Sequence, residues 1–96
     1  MSLAVLWSDE AEETFDNIVL YIENNWGEKH AKKFVQHVQK ILKLISDQPY
    51  MYKASVSRDV RQAVISRQTS LYYKIHKEYI TLLFFWDNRQ LDLTTF

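Results

Sequence analysis

The residues able to do chemistry are few, and they are unevenly spread. The chain has no cysteine, so thiolate chemistry and a disulfide framework are both absent. Two of its three histidines, His30 and His37, are seven positions apart. On one helix that is about 10 Å along the axis at about 1.5 Å per residue. A single zinc ion with ligand bonds of about 2 Å does not bridge such a gap, so both read as ordinary helix residues, and nothing in the sequence calls for a metal or another cofactor. His76 is the one residue of the C-terminal half that titrates near neutrality. Tyr72 and Tyr73 could stack on bases or donate a proton. In an alternating strand they point to opposite faces, and Tyr73 shares its face with Leu71 and Ile75, which leaves Tyr72 as the surface candidate. Cations crowd into residues 53–77, where Lys53, Arg58, Arg61, Arg67, Lys74 and Lys77 stand against Asp59 alone. Residues 9–28 are the reverse, with Asp9, Glu10, Glu12, Glu13, Asp16, Glu23 and Glu28 and no Lys or Arg. The totals cancel at twelve each, whereas a domain that grips nucleic acid mainly through phosphates tends to be strongly basic.

Residue patterning predicts the elements that must position these groups. Leu3–Trp7 is a short apolar run, read as a strand and ended by Ser8. Ser8 or Asp9 can cap a helix whose first-turn acids suit its positive end. Ala11, Phe15, Ile18, Val19, Ile22 and Trp26 then recur at helical spacing, and Gly27, the only glycine, can take the conformation that stops a helix. Ala31, Phe34, Val35, Val38, Ile41, Leu42 and Ile45 form a second stripe, closed by Pro49. Two amphipathic helices joined so tightly make an antiparallel hairpin.

Beyond Pro49 the period changes. Residues 50–59 read as loop, 60–67 as a β-branched strand and 71–76 as an alternating one. After a turn near Lys77-Glu78, Ile80–Trp86 is apolar on both faces. A strand of that kind is usually covered on both sides, yet two helices cover only one face of a small sheet. Either Leu83 and Phe85, or Leu82 and Phe84, should therefore face something the chain does not supply. The tail from Asp87 alternates only weakly and could add a short strand. The expected fold class is α+β: strand, helical hairpin, then an antiparallel three-strand meander, with the helices on one face. The place of the first strand in the sheet is left open. Trp7, Trp26 and Trp86 all fall on apolar stripes and read as core or its edge.

Ninety-six residues, 47% of them hydrophobic and 15% aromatic, are expected to form one domain over 1–96. No apolar run approaches the ~20 residues that cross a bilayer, and Met1-Ser2-Leu3 lacks the basic segment of a secretory signal. Together with the absent cysteines, this gives the expectation of a cytoplasmic protein without a membrane partner.

The order of landmarks resembles the RelE/ParE toxin superfamily. Those landmarks are Val5-Leu6-Trp7, Ala11 with Ile18 and Tyr21-Ile22, Gly27 with Ala31 and Phe34, and then Pro49. They continue with Arg61, with Tyr73-Lys74-Ile75, and with the run Ile80–Trp86 followed by Asp87-Asn88-Arg89. The resemblance implies a toxin neutralised by a cognate antitoxin and a plasmid-stabilisation role; the exposed apolar strand predicts that the isolated chain associates with itself as a homodimer or is poorly soluble. The strand that is apolar on both faces gives that antitoxin a place, against Leu83 and Phe85. The acidic face of the first helix reads as solvated, or as a surface for a basic antitoxin segment.

Family members divide by target. ParE-like members inhibit DNA gyrase, and RelE-like members cut messenger RNA on the ribosome. For RNA cleavage, Arg61 and Arg89 match the basic positions, with Lys53, Tyr72 and His76 as further candidates for cation or acid–base work. The C-terminal Tyr, or His-Tyr pair, usual in the ribonucleases has no counterpart in Leu91-Asp92-Leu93-Thr94-Thr95-Phe96. The reading therefore leans to ParE-like inhibition of a protein. The alternatives are a ribosome-dependent, metal-independent endoribonuclease and an inactive member that only binds its antitoxin.

Overall fold

Ser8 is where strand gives way to helix, and its side chain makes the change. Its Oγ accepts the Ala11 N–H at 3.0 Å while its own backbone stays extended, the geometry that satisfies an otherwise orphaned helical donor. The computed structural model describes residues 2–55, 57 and 59–88. Before Ser8 lies β1 (Ala4–Trp7), and after it α1 (Asp9–Trp26). Gly27 at φ +95° ends α1, its N–H reaching Glu23 O, and α2 (Glu28–Asp47) begins at once. A β-carbon would meet no atom at Gly27, so the backbone angle alone selects glycine there.

Among the described residues four further strands follow: β2 (Lys53–Ala54), β3 (Val60–Val64), β4 (Thr69–Ile75) and β5 (Tyr79–Asp87). The sheet order is β1-β5-β4-β3-β2. β2 to β5 pair antiparallel in succession, and β1 lies parallel to β5. The expected α+β meander with helices on one face is therefore present, and the sheet is mixed. The first strand lies at an edge, and the long connection through the helical hairpin is what allows it to pair parallel with β5. β2 lies in the segment read as loop: two exposed residues carry no periodic signal. The strand predicted over 60–67 stops at Val64, because the N–H groups of Ile65 and Ser66 both turn back to Thr69 O. The strand suggested in the tail lies outside the described residues.

The core sits between hairpin and sheet. Ile18, Val38 and Ile45 of the helices meet Leu71, Tyr73, Ile80 and Leu82 of the sheet, all essentially without exposure. One end is aromatic: the Phe15 ring lies 5.2 Å from Trp7, 5.3 Å from Phe85 and 6.0 Å from Phe34. Among the described residues, no helix covers the opposite face of the sheet.

Candidate functional site: the uncovered face of the sheet

The uncovered face is organised by a β-bulge. Tyr72 pairs with Phe84 but Tyr73 pairs with Leu82, so Leu83 is an extra residue without an opposite number. Before the bulge Ile80 and Leu82 point to the helices; after it Phe85 and Asp87 do. Phe84 and Trp86 are thereby turned outward. The bulge lies where β5 runs past the end of β1, and the capping residue of α1 and Thr14 inside it supply the missing backbone partners. Ser8 Oγ donates to Leu83 O at 2.8 Å, and the Phe85 N–H donates to Thr14 Oγ1 at 2.9 Å.

This placement corrects the antitoxin-facing pair. Phe85 is 2% exposed and packs against Trp7 and Phe15, so it belongs to the core. Neither alternating set inferred from the sequence survives intact, because both assumed an unbroken period of two. The outward residues of this end of β5 are Phe84 and Trp86, the latter 42% exposed, with Leu83 half-buried at the bulge itself.

Register places three rows across the uncovered face. Phe84, Tyr72, Gln62 and Lys53 form one; Leu6, Thr81, Lys74 and Val60 form another; Trp86, Ser70 and Val64 form the third. Tyr72 and Phe84 stack at 4.8 Å. At the β4–β5 turn the His76 ring stacks on Tyr79 at 4.2 Å, and its Nε2 lies 3.0 Å from Thr81 Oγ1. Lys53, Tyr72 and His76 are thus brought to one face. Two hollows lie elsewhere. One, of about 410 Å³, runs over the hairpin past Val19, Ala31 and Val35; the other, of about 310 Å³, sits between Trp26, Phe34 and Gln68.

Arg61 is not on that face. It pairs with Tyr73, on the helix-covered side, and its guanidinium holds the segment that follows α2. Nη1 donates to Tyr52 O at 2.9 Å and to Tyr50 O at 3.4 Å, with Cζ 5.0 Å from the Tyr50 ring centre. Beside it the Tyr73 hydroxyl donates to Pro49 O at 2.7 Å. These clamps lay β2 against β3, a role sequence reasoning missed, since nothing local to Arg61 names carbonyls nine and eleven residues away. Arg89 lies outside the described residues.

Burial pushes the Tyr73 phenol well above the ordinary tyrosine value of 10.0, an effect that the Arg61 charge opposes only in part, and burial also raises Tyr52. Both groups hold their protons more tightly folded than unfolded, so their contribution is present below pH 10 and lost as pH climbs through and beyond it. Alkaline denaturation followed by circular dichroism should therefore be steeper above pH 10 for the native chain than for Tyr73→Phe. Equal slopes would remove Tyr73 as the source.

A family model described as the ParE toxin of the type II toxin–antitoxin system parDE matches residues 5–91. The chain belongs to that family. Among solved structures, a chain of the chromosomal ParDE system from P. aeruginosa has a TM-score of 0.75 at 19% identity, covering 90% of this chain and 96% of that one. The YoeB dimer from Staphylococcus aureus follows at 0.61 and 19%, with coverages of 88% and 94%. The E. coli DinJ–YafQ toxin–antitoxin complex gives 0.61 at 10%, with 95% and 98%. At such identities the likeness is one of fold, and this ParE family member shares that fold with toxins of both the ParE and the YoeB/YafQ kind. No curated protein matches the sequence. Among the described residues no helix is long and apolar enough to cross a membrane.

Proposed function

We propose that this ParE family member is a toxin that acts by binding a protein, DNA gyrase in the ParE-like reading, and that a cognate antitoxin silences it. The uncovered aromatic face of the sheet carries the proposal. Phe84, Trp86 and Tyr72 stand outward there beside Lys53 and Lys74, and aromatic residues are those that protein interfaces enrich. Burying such side chains contributes about 25 cal/mol per Å², enough for a few of them to anchor an antitoxin segment. Toxin–antitoxin complexes among the structural neighbours support a partner of that kind.

Arg61, which would supply a cation for RNA cleavage, is instead occupied with the carbonyls of Tyr50 and Tyr52. That favours inhibition by binding over catalysis. The purified chain is expected to block gyrase supercoiling stoichiometrically, and induced cells are expected to stop growing with intact transcripts. Uninhibited supercoiling together with cleaved transcripts would replace this reading by the ribonuclease one. Unchanged growth would favour a member that only binds its antitoxin.

A further inference from the structure

β1 lies at the edge of the sheet, and its free side is defined by two sets of bonds. The Ser8 N–H reaches Leu82 O on β5, while both backbone groups of Leu3 go the other way, its N–H to Ser46 O and its carbonyl to Ser46 Oγ. Backbone groups alternate sides along a strand in a parallel pairing. The N–H and C=O of Val5 and Trp7 therefore point away from β5, and they have no backbone partner among the described residues outside the ladder. Between them Leu6, 51% exposed, stands on the uncovered face. Residues 2–8 contain no charge and no proline, so two of the usual guards of an exposed edge are missing.

We propose that this edge pairs with β1 of a second copy of the chain, antiparallel about a two-fold axis at Leu6. The opening is short. The end of α2 closes it at Leu3, and the chain leaves it at Ser8 to enter α1. A long foreign strand would collide with Ser46, whereas a strand that itself ends at Ser8 does not run on. The pattern is self-complementary: Val5 of one copy faces Trp7 of the other, twice, giving two pairs that exchange both backbone bonds. Leu6 meets its own twin in the closer, non-bonded pair, with Cα atoms about 4.5 Å apart. Two five-stranded sheets then join into one, with both hairpins on the same side. An uncharged edge brings no like charges together on that axis. The inference stands apart from the choice of cellular target.

A sequence without cysteine makes the test direct. A separation of about 4.5 Å lies within disulfide reach, so Leu6→Cys with oxidised glutathione should convert almost wholly to a covalent dimer of twice 11.5 kDa. Val64→Cys, 60% exposed on the same face, should not. In sedimentation the native chain is expected to have double the monomer mass, and Leu6→Lys and Leu6→Glu to fall to the monomer with unchanged circular dichroism. An equal mixture of those two should pair again. Equal crosslinking at positions 6 and 64, or a Lys/Glu mixture that stays monomeric, overturns the proposal, as does a native chain that is monomeric at every concentration.

Discussion

Phe85→Ala is expected to cost about 3–5 kcal/mol of folding free energy in urea titrations, while Phe84→Ala costs about 1 kcal/mol. The two side chains are adjacent and identical; strand alternation puts them on opposite faces, and the bulge at Leu83 decides that Phe85 is the inward one. Phe85 is buried against Trp7, stacked at 5.7 Å, and against Phe15, so truncation leaves a cavity that the aromatic end of the core cannot close. Phe84 loses a stack with Tyr72 on the outward face, where it is only part-buried. Affinity for a partner on the uncovered face should show the opposite order: Phe84→Ala and Trp86→Ala weaken binding in a fully folded protein. If Phe84→Ala unfolds the chain while Phe85→Ala leaves its stability intact, the bulge is misplaced, and with it the outward face.

Thr14→Val is the companion change, because it removes the acceptor of the Phe85 N–H without changing side-chain shape much. A buried donor left without a partner costs about 1–3 kcal/mol. That loss should appear in Thr14→Val and hardly at all in a surface change on the same helix such as Glu13→Gln.

These contrasts mark where the sequence stops being readable. Both helices were legible because their apolar stripes repeat at helical spacing, and because Ser8, Gly27 and Pro49 punctuate them. Tyr73 and Leu71 were assigned inward by simple alternation and are buried. The parity of β5 was not legible. A bulge adds one residue, and its cause lies in Ser8 and Thr14, 75 and 71 positions from the groups they bind. The same limit hid the parallel partner of β1, since Ala4-Val5-Leu6-Trp7 would suit any neighbour. Two-residue β2 has no period to detect, and Lys53 is placed by its pairing with Gln62 rather than by its own pattern. Of the candidate site, Tyr72 was expected at the surface and stands on the uncovered face, and Lys53 and His76 join it there. Arg61 was identified as a useful cation whose actual partners are backbone oxygens.

Arg61→Ala is the second large effect expected, and it separates clamp from catalyst. Hydrogen bonds to a charged group contribute about 1.5–3 kcal/mol each where a part-buried carbonyl would otherwise go unpaired. Nη1 serves Tyr52 O at 2.9 Å and more weakly Tyr50 O, and the cation also sits over the Tyr50 ring. Removing it should lower stability by about 2–3 kcal/mol. In a domain this small that is a fall in Tm of about 8–24 °C, at about 4–8 °C per kcal/mol. Amide exchange should rise first in residues 50–54, because Tyr73 still holds Pro49 from the other side. Arg61→Lys keeps the charge but not the rigid planar guanidinium whose Nη1 reaches both carbonyls and which lies over the Tyr50 ring, so it should restore less than half of the loss. Any fall in toxicity should then track the folded fraction and recover at low temperature. A guanidinium used on RNA predicts the reverse: an unchanged melting curve in Arg61→Ala, toxicity lost at every temperature, and transcripts that the native chain cuts and the variant leaves whole.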